Sequence, residues 1–226
     1  MVAEGTGTSN DWRAWQLVDS AFPTGAFAHS QGLESAWQHG ELANRDDLLR
    51  FARSAVWQAA YGVIPLVNAA YHAPERLSEL DALADAFLTN SVANRASRVQ
   101  GRTLVATACR VWSAPELTVL AARVPGLAAH VAPITGVVFQ ALGVPLATAQ
   151  PLVLFGAARS VLSAAVRLGL IGSYDAQALQ SQAAVWAERA LQAVKDADED
   201  TLAQTAPVID ILQGAHDRLY SRLFQS

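Results

Sequence analysis

The sequence predicts an all-α protein, built as a single-domain compact helical bundle around a central apolar helix. Apolar residues recur three and four positions apart along most of the chain, whereas the strict alternation of strands is scarce. Hydrophobic residues make up 52% of the chain and charged residues 16%, so a sizeable core is available. We expect residues 1–10, which are polar, to form a disordered tail and residues 11–226 to form one helical domain.

Capping residues and prolines divide the first half of the chain into helices. Asn44 suits an N-cap, and two aspartates follow it in a first turn where the helix dipole favours acids. That helix should bend or end at Gly62 and Pro65. Further helices are predicted to start at Pro74 and to run over about residues 95–112.

A stretch without Asp, Glu, Lys or Arg separates Arg123 from Arg159. Its length alone would permit a membrane span. Because Pro151 and three earlier prolines should cut it into short pieces, we expect buried core helices and no membrane segment. Residues 146–168 are apolar on nearly every side and form the predicted central helix. Arg159 and Arg167 share one face of this helix. We expect each to act either as a structural clamp or as an interface anchor.

Three start signals are visible in the rest of the chain. Ser113 begins a Ser-Ala-Pro-Glu run with the spacing of a capping box. Asp175 is expected to cap the next helix. Pro207 opens a final amphipathic helix, which should keep an apolar side up to Ser226.

Charge and composition exclude several classes of function. The net charge of −4 comes with no basic cluster, so nucleic acid is not an expected partner. Cys109 is the only cysteine, which excludes an internal disulfide and fits a reducing, cytoplasmic compartment. The five histidines include no i, i+4 pair and no phosphate-binding glycine loop is present, so we expect no bound metal or cofactor and no nucleotide hydrolysis. The apolar surplus favours surfaces kept for protein partners.

The most informative local segment is residues 20–34. Its Pro-Thr-Gly run predicts a turn, since proline fixes one backbone dihedral and Gly25 is free to adopt a positive φ. Phe22 and Phe27 flank the turn and should pin it to the core. Ala-His-Ser-Gln-Gly around Ser30 also resembles the nucleophile elbow G-x-S-x-G, which leaves a serine hydrolase as an alternative.

The residues around that elbow argue against a hydrolase. The turn stands where a strand should precede the serine, and no alternation of strands and helices follows. Asp175 or Asp210 with His216 would complete a catalytic triad in the right chain order, but such combinations arise by chance in a chain of this length.

Residues 20–34 resemble the signature of the urease accessory protein F family, S-x-x-P-x-G-x-(F/Y)-x-x-S-x-G-L-E. Further blocks agree in order: Arg98 with Gln100-Gly101, His130 with Gly136 and Leu142-Gly143, SAAVRL at 163–168, and His216 followed by RLFQS at 222–226. The resemblance covers the chain from about Trp12 to its last residue. One departure occurs after residue 168, where the family continues to P-L-G-Q and this chain has Gly-Leu-Ile-Gly-Ser.

The resemblance implies an all-helical homodimer that catalyses nothing and acts as a chaperone in urease maturation. It would bridge the urease accessory H or D scaffold protein and the nickel-carrying GTPase, and regulate nickel delivery to apo-urease. A structural helical protein without a urease role is the remaining alternative.

Two surfaces are expected to bind these partners. The first is the loop from Pro23 to Gly32 together with Glu34, and the second is the C-terminal helix, where Arg222 and Phe224 would anchor the tail against the H or D protein. The full candidate set for partner binding is Pro23, Gly25, Ser30, Gly32, Glu34, Arg167, His216, Arg222, Phe224 and Ser226.

Overall fold

The computed structural model describes residues 10–226, and this part of the chain contains eleven α-helices and no strand. The all-α prediction is therefore confirmed. The predicted disordered tail falls on residues 1–9, which lie outside the described residues, and on Asn10, which begins the first helix. The helices are α1 (Asn10–Val18), α2 (Leu33–Gln38), α3 (Arg45–Gly62), α4 (Ile64–His72), α5 (Leu77–Phe87), α6 (Ser91–Val111), α7 (Pro115–Arg123), α8 (Val131–Ala141), α9 (Leu146–Arg167), α10 (Ser173–Val194) and α11 (Pro207–Ala215).

Two groups of helices build the core of a single-domain fold. In one group, α8 packs against α4, α5, α6 and α7. In the other, α9 packs against α3 and α10. Because α9 also contacts α1, α2, α4 and α8, it joins the two groups and is the central apolar helix that the sequence predicts.

Capping explains where several helices begin. Asn44 accepts hydrogen bonds from the first turn of α3 and forms a complete capping box with Asp47, as predicted. The break between α3 and α4 falls at Val63, between Gly62 and Pro65. The side chain of Asn90 caps α6, so that helix begins four residues earlier than expected.

Two predicted caps are wrong. Ala114 is the N-cap of α7 and no side chain caps that end, so Ser113 forms no capping box. Gly172 is the N-cap of α10, so Asp175 lies inside the first turn. Its charge interacts favourably with the helix dipole there, but its side chain does not cap the helix.

The prediction that Pro151 interrupts the apolar stretch is wrong, because α9 runs through it without a break. A proline in a helix leaves the carbonyl four residues earlier without its hydrogen bond. Here that carbonyl belongs to Ala147, which is exposed, so water can hydrate it. Within residues 10–226, α9 is the one helix long and apolar enough to cross a membrane by length and composition. Its contacts with six other helices account for that apolar character.

The final segment departs most from prediction. Helix α11 ends at Ala215, a short 3-10 helix follows over His216–Arg218, and the remaining residues are not helical. The predicted helix up to Ser226 is therefore wrong. The physical reason is that these residues hydrogen-bond to the loop of residues 22–34, described below, instead of to one another.

Candidate functional site

Residues 22–34 form a loop that leads into α2, and its turn forms as predicted. Gly25 has a φ of 79°, a left-handed conformation that glycine adopts without a steric penalty. Phe22 is buried and stacks on Trp112 with 5.5 Å between ring centroids, so it pins the turn to the core. Phe27, which was expected to do the same, is 68% exposed.

The loop enters α2 beneath helix α11. Gln31 and Gly32 both have positive φ, at 53° and 85°. Gly32 is buried, and a Cβ atom there would lie 3.1 Å from the backbone nitrogen of Gln213. A larger residue at this position would be strained in its backbone and crowded against α11, so the loop requires glycine.

Glu34 holds the C-terminal residues over α2. This carboxylate is 2% exposed and accepts three hydrogen bonds. His216 donates from Nε2 to Oε2 at 3.0 Å, and the backbone N–H groups of Leu223 and Phe224 donate to Oε1 and Oε2 at 2.6 and 3.1 Å. Because an unpaired carboxylate at this depth is strongly unfavourable, the side chain fixes all three donors in place.

The last residues lie alongside the loop. The carbonyl oxygen of Ser226 accepts from the backbone N–H of Ser30 at 2.5 Å and from its hydroxyl at 3.1 Å. The hydroxyl of Ser226 lies 2.5 Å from Nδ1 of His29. The N–H of Gln225 donates to the carbonyl of Ala28 at 2.8 Å. These contacts join two segments almost two hundred residues apart in the sequence.

Arg167 joins the same two segments from α9. Its guanidinium lies between two rings, 3.8 Å from the centroid of Phe27 and 4.2 Å from that of Phe224, and Nη1 donates to the carbonyl of Phe27. Arg159 donates in the same way to the carbonyl of Val18. Both arginines act as structural clamps, because their acceptors are carbonyls of this chain.

We call residues 22–34, residues 216–226 and Arg167 the loop–tail site. The two predicted surfaces adjoin here, because candidate residues from both contact each other. Phe224 is 5% exposed and packs within the chain. Seven of the ten candidates make the contacts described above: Ser30, Gly32, Glu34, Arg167, His216, Phe224 and Ser226. Pro23, Gly25 and Arg222 lie at the exposed edge, where Nη1 of Arg222 is 3.5 Å from Oδ1 of Asp217. Partner binding by any of the ten stays a prediction.

The surroundings of His29 disfavour its protonated form. Within residues 10–226, Nε2 of His29 and Nδ1 of His216 are buried without a hydrogen-bond partner. Burial lowers the pKa of His29, and the positive charge of a protonated His216 lowers it further. His29 is therefore neutral near pH 7.

The triad hypothesised around Ser30 is not formed. Ser30 is fully buried, and its hydroxyl donates to a backbone carbonyl. His216 is bonded to Glu34, and the carboxylate of Asp210 accepts from Asn90 at 3.2 Å. No strand precedes the serine in the described part of the chain, so the elbow geometry is absent there.

A buried polar cluster at the start of α8 was not predicted. Asp81 accepts the N–H of His130 at 2.7 Å, and Ser97 accepts the N–H of Val131 at 3.2 Å. His130 is fully buried, with Nδ1 3.1 Å from the Ser97 hydroxyl and Nε2 3.0 Å from Oδ1 of Asp85. These partners lie 33 to 49 residues from the histidine, so no local pattern joins them, and the family resemblance at His130 was the only signal. The cluster satisfies the N–H of Val131, the first residue of α8, and that of His130 just before it.

An open cavity of about 380 Å³ lies between the loop–tail site and this cluster. Its lining is mostly apolar and includes His29, Gln213, Ser97 and His130. In residues 10–226, no three or more His, Cys, Asp or Glu side chains are grouped so that they could hold a metal ion.

Comparison with known proteins identifies the family. The UreF family model matches residues 42–184, more than half of the chain. The chain belongs to the UreF family. Urease accessory protein F of Oryza sativa subsp. indica is 39% identical over 221 residues, which cover 94% of this chain and 84% of the relative. The Arabidopsis thaliana protein of that name is 37% identical, with 95% and 92% covered, and urease accessory protein UreF of Arthrobacter sp. (strain FB24) is 32% identical, with 93% and 95% covered.

Apart from Arg167, the loop–tail site lies outside the UreF family match. The match spans α3 to α9 and part of α10, which includes Arg167. Residues 22–34 and 216–226 lie outside it. The site is therefore defined by its hydrogen bonds and ring contacts in this UreF-family chain.

Proposed function

We propose that this protein acts in urease maturation as a scaffold that bridges the urease accessory H or D protein and the nickel-carrying GTPase. The complex then docks on apo-urease, with nickel as its cargo, and the protein regulates nickel delivery by presenting surfaces while catalysing nothing itself. It works in the cytoplasm as a homodimer. The observation that carries the proposal is the loop–tail site, where the signature segment and the C-terminal residues meet on a rigid helical body.

The rim of the loop–tail site has the composition of a protein-binding surface. Phe27 is 68% exposed, Leu223 is 54% exposed and Tyr220 is fully exposed, and Arg222 lies among them in the sequence. Aromatic residues and arginine are the side chains most often found at the energetic centre of interfaces. Because Glu34 fixes the segment beneath this rim, binding requires little further ordering of the backbone.

Co-expression with the accessory partners tests the proposal. The wild-type protein should co-purify with the H or D protein and with the GTPase. Tyr220→Ala and Arg222→Ala remove exposed groups and spare the buried contacts, so each should weaken binding about tenfold or more, which corresponds to ~1.4 kcal/mol. Tyr174→Ala and Arg189→Ala, at exposed positions on α10, are matched controls that should bind within about twofold of wild type.

Three results would contradict parts of this proposal. A wild-type protein that captures neither partner would remove the bridging role. Rim variants that bind as tightly as the α10 controls would place the docking surface elsewhere. Normal urease maturation in cells that lack this protein would favour a structural protein without a urease role. Light scattering during gel filtration measures the mass and tests the homodimer directly.

A further inference from the structure

Helix α6 carries a concentration of positive charge, so the expectation that the chain has no basic cluster is wrong for this helix. Its 21 residues include four arginines and no acidic residue, although acidic residues outnumber basic ones by 20 to 16 in the whole chain. Arg95 and Arg102 lie on the exposed row of the helix, with Val99 between them, and Arg98 is half-buried beside them. At about 1.5 Å of rise per residue, these three arginines span ~10 Å of the helix surface.

Most of this charge is not neutralised within the described chain. In residues 10–226, the side chain of Arg102 forms no hydrogen bond or ion pair. Arg98 is close enough to Asp85 to contribute to lowering the pKa of that carboxyl, but it forms no ion pair with it. Arginines at i and i+4, such as these two, repel each other and slightly destabilise the helix. An external carboxylate would relieve that repulsion.

The chain itself shows that this face binds a carboxylate. Asp217, from the segment after α11, lies against α6, and Nη2 of Arg95 donates to its two carboxylate oxygens at 3.0 and 2.9 Å. The same carboxylate lies 3.5 Å from Nη1 of Arg222 at the rim of the loop–tail site. The arginines of α6 are therefore continuous with that site.

We infer that this surface, defined by Arg95, Arg98, Arg102 and Arg222 and called the arginine face, is a docking site for an acidic surface of a partner protein. An acidic protein fits better than a nucleic acid because the net charge of −4 opposes long-range attraction of phosphate backbones, and because the exposed Val99 interrupts the row with an apolar contact. The guanidinium fork pairs with carboxylates in two hydrogen bonds. The identity of the partner rests on the proposed scaffold role, whereas the binding of carboxylates by the arginine face does not.

Binding of a 20-residue poly-L-glutamate peptide, followed by fluorescence anisotropy, tests the chemistry without any accessory protein. The double variant Arg98→Gln/Arg102→Gln should bind about tenfold more weakly than wild type, since each lost ion pair costs up to about 1 kcal/mol. The matched control is Arg53→Gln/Arg189→Gln, which makes the same change in net charge at exposed positions of α3 and α10. This control should stay within about twofold of wild type, and wild-type affinity should fall as salt rises.

The outcomes separate the alternatives. Absence of poly-glutamate binding by wild type, or equal loss in the two double variants, overturns the inference. Tighter binding of a mixed-sequence 20-nucleotide RNA than of the peptide, lost in the Arg98/Arg102 variant, overturns it in favour of phosphate recognition.

A second arm repeats the co-purification with these variants. If wild type captures the accessory proteins and the Arg98/Arg102 variant captures them equally well, the arginine face has no docking role, while the proposed scaffold function stands. If wild type captures neither partner, the scaffold function fails, and the peptide result still decides the chemistry of the face. Circular dichroism of each variant checks that the helices are intact.

Discussion

Removing the carboxylate of Glu34 should release the C-terminal segment from the body of the protein. Its two oxygens accept one hydrogen bond from His216 and two from backbone N–H groups. In Glu34→Gln one oxygen becomes an NH₂ group, which must face at least one of these donors. The less costly orientation places it at the Oε1 position, opposite the N–H of Leu223 alone, and the other orientation loses two bonds.

The magnitude follows from that count. A hydrogen bond to a charged acceptor contributes about 1.5–3 kcal/mol, so Glu34→Gln should lower the free energy of unfolding by about 2–3 kcal/mol. Glu34→Ala leaves all three donors without their acceptor and should cost ~3–5 kcal/mol. Glu41→Gln, at an exposed position soon after α2, should change stability by less than about 0.5 kcal/mol.

Urea unfolding followed by circular dichroism gives the stability of each variant. Amide hydrogen exchange gives the local effect. In both Glu34 variants, the amides of Leu223, Phe224 and Gln225 should exchange faster than in wild type, and they should exchange before the amides of α8. If Glu34→Gln unfolds within about 0.5 kcal/mol of wild type and its tail amides stay protected, the carboxylate does not hold the segment and the account of the loop–tail site is wrong.

Three further predictions concern other contacts. Because the pKa of His29 is lowered by burial and by His216, the unfolded chain binds the extra proton, so stability in urea titrations should fall as pH drops below about 6.5, and His29→Gln should flatten that dependence. Gly101→Ala would place a Cβ 2.0 Å from a backbone oxygen and should cost more than ~3 kcal/mol or prevent folding, whereas Gly156→Ala, with open space around it inside α9, should raise the melting temperature. Arg167→Lys keeps the charge but loses the planar stacking between two rings, so it should speed exchange of the tail amides, and unchanged exchange would contradict that role.

Local signals predicted individual elements well and their limits poorly. The capping box at Asn44 and the break before Pro65 depend on residues within one turn, so the sequence locates them. Pro151 was misjudged because the cost of a proline in a helix depends on whether the freed carbonyl reaches water, which is a property of the packed molecule. The end of α11 was misjudged for a related reason. Its apolar period continues past His216, but Glu34 offers the following N–H groups a better acceptor than another helical turn does.

Local sequence patterns alone predict the helical class, the central apolar helix and, through the signature at residues 20–34, the family resemblance. These depend on periodicity, composition and short motifs, which are properties of neighbouring residues. Three other features come from the packing of distant segments: Glu34, His216 and Phe224 form one site, Asp81 and Ser97 bind the N–H groups at the start of α8, and the arginines of α6 join the rim of that site. Each of these contacts joins residues dozens to nearly two hundred positions apart, and such pairings follow from the packing of the whole core, which no local pattern encodes.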